Sequence, residues 1–491
     1  MSTTKDRLAE PGSTVDTEEQ RKAIRILDLT ILPVMAVFYL LSFLDRTKMG
    51  NARVAGLQKD LGINDKQYAL AIIALQVPFI LVELSSNLLL RKVAPQLLMP
   101  SILTIWGIIV VLHGFVTSYP GLIIVRAILG VMEGPMVPGI VLYLSGFYTR
   151  RELAFRIAIF LSSGSLAGAF SGLLAAAIQN MDGIGGKSGW RWIYILEGIF
   201  STLVGILGFY LVPNTPDDLK YLSARQKWLI VSRLQQDQPT HLNDHDHFSL
   251  QQIIASICSP HVICVFFMFY MTGTHVFGLA LFLPFMVHQL GFSSIKSQLL
   301  SVGPFVGGFI VTLFSAFWSD WYNIRAIPIM ITYSFAVVGY LMYFATDVKY
   351  GSLYLIAAGV FGTSPVLFAW MGNNSEPHYR RATSGRLGFI ALNVGGITST
   401  WIYPSNEAPS FKKATVINLV FAVLIILSAG LNALLLHRAN SLKEKKREEL
   451  LAPYIGAQIG NGEDQGKTEK YEMSKAWNEL GDRHPDFLYT I

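Results

Sequence analysis

Apolar residues run in long blocks along this chain, and most charged residues fall between the blocks. A helix needs roughly 20 apolar residues to cross a bilayer, and the blocks have that length. The pattern predicts twelve spans. Six lie at about 27–55, 67–90, 97–117, 121–148, 154–178 and 191–212, and six at about 261–289, 297–318, 326–346, 352–375, 384–403 and 413–436. The expected fold is therefore an all-α membrane protein. A polar stretch separates the sixth block from the seventh. The chain divides into a cytosolic tail (1–26), a six-helix bundle (27–212), a cytosolic linker (213–260), a second six-helix bundle (261–436) and a cytosolic tail (437–491). Six plus six about a linker is the layout of a secondary transporter built from two repeats.

Charge sets the orientation. Arg21, Lys22 and Arg25, Arg91 and Lys92, Arg150, Arg151 and Arg156, Arg380, Arg381 and Arg386, and the tail from Arg438 fall on one side. The opposite loops hold little more than Lys187, Lys296, Lys349, Lys412 and Lys413. The positive-inside rule places both termini in the cytosol. Residues 1–25 are polar, so the first apolar block is expected to act as the insertion signal.

Composition narrows the classes. The chain has 491 residues, 52% hydrophobic and 15% charged, against about 25% charged in soluble proteins. Its net charge of +6 sits at the ends of apolar blocks, which points to a lipid bilayer and away from nucleic acid. Two cysteines offer no disulfide framework. No Walker A sequence, nucleophile elbow or HExxH is present, so neither an enzyme nor a bound cofactor is expected. The run His241, Asp244, His245, Asp246 and His247 reads as a solvated linker rather than a metal site.

Several ionisable residues lie inside the blocks, where they are costly and by default functional. Leu29 to Leu44 is too short to span, so the first helix must continue through Asp45 and Arg46 toward Asn51. Arg126 and Glu133 lie two turns apart on one face, about 10 Å along the helix. Arg46 and Arg126 fall at similar depth and make a cationic site suited to a carboxylate. Glu133 suits a proton carrier, with Asp45 as a second candidate. Glu83 is read as a partner for loop bases. His275 reads more naturally as packing than as a ligand, yet joins Asn51, Asn373 and Asn374 as a candidate cavity residue. Gly164, Gly168 and Gly172, and Gly303 with Gly307, mark close helix contacts. Trp190, Arg191 and Trp192 read as an interface anchor. The tail is expected to begin as a charged helix (Lys443 to Leu450) and then to be disordered.

The run Leu44-Asp45-Arg46 with Gly50-Asn51-Ala52 resembles the first-helix motif of the fungal allantoate permease-like branch of the major facilitator superfamily. Arg126-Ala-Ile-Leu-Gly130-Val-Met-Glu133-Gly134 resembles the fourth-helix motif of the wider anion:cation symporter family. Gly189-Trp-Arg-Trp192 through Glu197-Gly198 and the closing Gly481-Asp-Arg-His-Pro-Asp-Phe487 resemble further motifs of the fungal members. The resemblance implies two bundles rocking about a central site, proton symport, and import of a small organic anion such as a carboxylate vitamin or a ureide. By position, Arg46 and Arg126 would meet the anion and Glu133 would couple protons. The superfamily's gating motif is degenerate here: its first copy leaves Arg91, and its second keeps Asp320 and Arg325. A monomer in the plasma membrane is expected. The alternative is a proton-coupled exporter of amphiphilic metabolites or drugs. Superfamily antiporters carry a Gly-Pro pair in the fifth helix, which is absent from Gly164–Gly172.

Overall fold

A computed structural model describes residues 14–90, 93–237, 254, 256–376, 378–455, 476 and 480–491. The first half comprises α1 (Thr14–Thr30), α2 (Leu32–Val54), α3 (Asp65–Leu90), α4 (Pro95–His113), α5 (Tyr119–Glu133), α6 (Met136–Ser145), α7 (Arg150–Ile178), α8 (Gly189–Leu211) and α9 (Ala224–Asp237). The second comprises α10 (Pro260–Gln289), α11 (Ser294–Tyr322), α12 (Ala326–Ala345), α13 (Lys349–Asn373), α14 (His378–Ser399), α15 (Lys412–Lys445) and α16 (Arg447–Ile455). Among the described residues, ten helical segments are long and apolar enough to cross a membrane. Prolines open α2, α4, α5 and α10, where a missing N–H costs nothing because no intrahelical acceptor exists there. Asn323 closes α11 in the left-handed conformation, as a helix C-cap prefers.

Burial is inverted relative to a soluble protein. Leu203, Leu207, Phe314, Phe317, Leu427 and Leu434 stand exposed on outward faces, as lipid-facing side chains do. The interior holds the ionisable residues. In the first half α2 packs on α7, α3 on α5 and α4 on α8; in the second α10 packs on α14, α13 on α11 and α12, and α12 on α15. The halves meet where α2 crosses α10 and where α7 lies along α11. Glycine makes the first crossing possible, since a Cβ at Gly50 would overlap the Leu281 carbonyl oxygen. Gly168 performs the same service on α7, where a Cβ would come within 2.6 Å of the Phe305 ring.

The end of the bundle that carries both termini is called proximal below, and the other end distal. At the distal end Arg53 bridges the halves. Its Nη2 donates to Asp65 at 2.9 Å and to Ser405 Oγ at 2.8 Å, and its Nε donates to Gln58 at 2.6 Å. The Ser405 amide closes the ring by donating to Asp65 at 2.8 Å. Arg53 also lies 3.8 Å from the centre of the Phe285 ring on α10. Ser294 of α11 donates to the Val54 carbonyl at 3.1 Å.

Two expectations change here. Trp190 is fully buried and donates through Nε1 to Asp60 at 2.8 Å, where Arg191 also binds. The pair caps the turn after α2, because a carboxylate on that turn offers better hydrogen bonding than the interface does. The chain's end is also ordered where disorder was expected: Gly481–Ile491 lies against the proximal ends of α13, α14 and α15. Most of 456–479, the linker run His241–His247 and Arg91 lie outside the described residues.

Candidate transport site

A cavity of about 800 Å³, counting its mouth, lies between the halves on the proximal side of Arg46. Its polar wall comes from α2, α3, α11, α13 and α14: Ser42, Arg46, Glu83, Thr312, Ser364 and Asn393. Phe43, Phe79, Phe277, Phe361, Phe368 and Phe389 supply six aromatic faces.

α2 runs unbroken through Asp45 and Arg46 to Val54, as the span length required, and it sends these two charges in opposite directions. Arg46 faces the cavity. Its Nε donates to Glu133 Oε1 at 3.0 Å and its Nη1 to Asn393 Oδ1 at 3.4 Å. Its guanidinium lies 4.3 Å from the Phe79 ring centre, a stacking that suits a planar cation. Glu133 is fully buried. Its Oε1 also accepts from Ser42 Oγ at 2.6 Å, and its Oε2 has no hydrogen-bond partner among the described residues. Glu133 is the last residue of α5, and Gly134 and Pro135, which follow it, keep helical dihedrals and lead directly into α6. Gly130 lets α5 close on α3, where a Cβ would overlap the Leu75 carbonyl.

Asp45 turns away from the cavity. It pairs with Lys48 at 3.0 Å, and Lys48 pairs with Glu197 of α8 at 3.3 Å. All three side chains are buried. Arg126 is also buried behind the wall, where its Nε donates to the Ala71 carbonyl at 3.1 Å and its Nη1 has no hydrogen-bond partner. The structure thus joins Glu133 to Arg46 and sets Arg126 apart from both, because Arg126 sits where α5 faces the α3 backbone.

The remaining candidates do not line this cavity. Asn51 donates to Ser171 Oγ at 2.7 Å near the distal crossing. His275 packs inside the second half, with Nε2 2.9 Å from the Asn418 carbonyl and Nδ1 3.4 Å from the Tyr333 hydroxyl. Asn373 is half-buried at the proximal end of α13, and Asn374 binds the chain's final segment. Asp320 and Arg325 pair at 2.5 Å in the turn joining α11 and α12. Glu83, read as a partner for loop bases, forms part of the cavity wall. Lys48 was missed, although its position three residues after Asp45 on a helix is a pairing signal. Among the described residues no three His, Cys, Asp or Glu side chains cluster as a metal site.

A buried Arg–Glu pair at a cavity between two helical halves is what the family comparison bears on. The model of the Major Facilitator Superfamily matches residues 35–400. The chain belongs to the major facilitator superfamily. Its members are transporters rather than enzymes. An uncharacterized transporter of Schizosaccharomyces pombe is 30% identical over 441 residues, 89% of this chain and 87% of the relative. The MFS-type transporter efuF of Hormonema carpetanum is 29% identical, covering 83% of each chain. The major facilitator-type transporter hxnP of Emericella nidulans is 28% identical, covering 88% of this chain and 89% of the relative. Among solved structures, a bacterial homolog of the human lysosomal transporter Spinster, inward-facing and unoccupied, aligns with TM-score 0.63 at 14% identity, covering 86% of this chain and 97% of that one. A D-xylose-proton symporter aligns with TM-score 0.62 at 14% identity, covering 82% and 97%. These structures share the major facilitator fold with this chain.

Proposed function

We propose that this chain is a secondary active transporter that imports a small organic anion together with a proton. The observation that carries the reading is the Arg46–Glu133 pair at 3.0 Å on the cavity wall. As it stands the pair is neutral, and Glu133 occupies the Nε that a carboxylate would use. Protonating Glu133 ends the ion pair and frees the Arg46 guanidinium to bind a carboxylate. Proton and anion together leave the cavity as neutral as before, whereas either alone leaves an uncompensated charge that opposes burial. Alternating access follows, because only the fully loaded or the empty cavity closes readily. In this reading Arg126 adds fixed positive charge from behind the wall, and Asp320 with Arg325 steadies the proximal gate.

The same reading takes the ten long apolar segments together with α7 and α14 as twelve spans in two bundles of six, joined by the 213–260 linker. Both termini lie in the cytosol of a plasma-membrane monomer. The proximal cavity with a tied distal end supports an inward-facing state. The motifs at Asp45–Ala52 and Arg126–Gly134 support the anion:cation symporter family and its allantoate permease-like branch.

The test is uptake of labelled carboxylate vitamins, ureides and short peptides at pH 5 and pH 7, in cells making the native chain, Arg46→Ala or Glu133→Gln. The expected outcome is accumulation that is stronger at pH 5, abolished by Arg46→Ala and made indifferent to pH by Glu133→Gln. Full uptake by Arg46→Ala at normal surface level would remove the anion site from Arg46. The six phenylalanines of the cavity favour a second reading, export of an amphiphilic metabolite against protons. Reduced retention of such compounds, with no carboxylate taken up, would select it.

A further inference from the structure

The final segment of the chain makes more specific contacts than a passive tail needs. Two asparagines grip its backbone on both edges. Asn374, just past α13, donates to the Thr490 carbonyl at 2.9 Å and accepts from the Thr490 amide at 2.8 Å. Asn440 of α15 does the same for Tyr489, at 3.0 and 2.9 Å. Trp370 Nε1 adds a second donor to the Thr490 carbonyl at 3.0 Å. A side-chain amide that answers both the N–H and the C=O of one residue imitates a neighbouring strand, and it reads an extended backbone without regard to side chain.

Side chains then fix the register. Arg380 of α14 pairs with Asp482, and both are buried. The Asp482 amide donates to the Glu376 carbonyl at 3.0 Å. Lys443 of α15, also buried, donates to the carbonyls of Asp482 at 2.5 Å and Phe487 at 2.8 Å, and lies 3.5 Å from the centre of the Tyr489 ring. Arg447 of α16 pairs with Asp486 at 2.7 Å. Finally, the Arg325 amide, at the N-terminus of α12, donates to the Ile491 carbonyl at 2.7 Å.

Without the segment, Arg380, Lys443, Asn374, Asn440 and Trp370 lose the partners just named. Five side chains, on or just past three helices, thus converge on one stretch of backbone, which marks the groove as a place built to be filled. We propose that the proximal end of the second half is a peptide-binding groove, and that residues 481–491 occupy it in cis. The filled groove makes the α11–α12 turn, α13, α14 and α15 into one body. The segment touches each of these four elements in turn at their proximal ends. The gate pair Asp320–Arg325 sits in the first of them, so seating the segment sets the gate turn as well. The segment and its groove belong to one chain, so the seating is intramolecular. Modest intrinsic affinity therefore suffices, and the groove stays releasable. The inference is independent of what the cavity carries.

Hydrogen–deuterium exchange on the full chain in nanodiscs tests it. In the unsubstituted protein the amides of Asp482, Tyr489 and Thr490 are expected to exchange at least about tenfold more slowly than in a synthetic peptide of residues 476–491. The double variant Asn374→Ala/Asn440→Ala is expected to bring Tyr489 and Thr490 close to the peptide's rates. The amide of Arg325, which lies on a different helix from both substitutions, is expected to accelerate with them. Asp482→Asn offers a milder release and should move the same amides in the same direction. Peptide-like exchange in the unsubstituted chain would overturn the groove. An Arg325 amide unchanged while Tyr489 is set free would overturn the coupling of the four elements.

Discussion

Around the level of Arg46 the first half of the molecule buries Asp45, Lys48, Arg126, Glu133 and Glu197, whereas the interior of the second half is lined by Thr272, His275, Thr332, Tyr333, Thr363 and Asn418. With Arg46 itself, the first half sets three cations against those three carboxylates, and Glu83 adds a fourth carboxylate at the cavity wall. The second meets its polar needs with neutral pairs, such as Tyr333 to Thr272 at 2.9 Å and Asn418 to Tyr403 at 2.8 Å. Similar helical scaffolds thus carry different electrical duties. A balanced set of buried charges responds strongly to one added proton or anion, because each partner is left over when its mate is neutralised. A neutral hydrogen-bonded set responds weakly. In the proposed reading the first half senses charge, and the second lines the cavity with Phe277, Phe361, Phe368 and Phe389.

The comparison breaks most easily at Lys48. Lys48→Met leaves Asp45 and Glu197 buried without their shared cation, which should cost roughly 3–5 kcal/mol. The expected result is a large drop in the melting temperature of the detergent-purified protein. Most of it should return in the triple variant Asp45→Asn/Lys48→Met/Glu197→Gln. A single variant that melts like the native chain would show that charge balance does not hold α2 to α8. A smaller effect is expected at His275. His275→Phe deletes the contacts to Asn418 and Tyr333, a loss of about 1–3 kcal/mol for the groups left unsatisfied, yet the pH profile of uptake should not move. A shifted profile would give the second half a proton and erase the contrast.

The smallest effect lies outside the membrane, at Asp60. Burial alone would raise the pKa of this carboxyl, but hydrogen bonds from Trp190 and Ser188, with the charge of Arg191, outweigh it and hold the value below the ordinary 3.8. The sign follows: the carboxylate contributes its stability in full above the ordinary aspartate value, and loses it only as pH falls through the lowered one. The tie should therefore persist at pH 5. Asp60→Asn should lower the melting temperature by a similar small amount at pH 5 and pH 7. A native protein that loses this increment between those two pH values would contradict the assignment.

Much of the site was legible because buried charge is rare in lipid. Arg46, Glu133 and the continuation of α2 through Asp45 follow from span length and cost alone. The partner of Glu133 did not, since the two-turn spacing to Arg126 fixes a shared face but not which helix fills it. Packing decides that: Gly130 and Gly134 lay the helix against α3, and Arg46 reaches Glu133 from α2. The aromatic cavity was illegible for a related reason: its six phenylalanines come from α2, α3, α10, α13 and α14, and a single chain pattern cannot align five helices. The ordered end escaped because its contacts are mainly to backbone atoms. Asn374 and Asn440 recognise an N–H and a C=O, and composition does not record those.

The groove at the proximal end bears on how the protein is made. Synthesis runs from the N-terminus, so α10 to α15 are made before residues 481–491. Until those residues emerge, Asn374, Arg380 and Lys443 lack the partners that the segment brings. The proximal end of the second half is therefore completed later than the helices that form it.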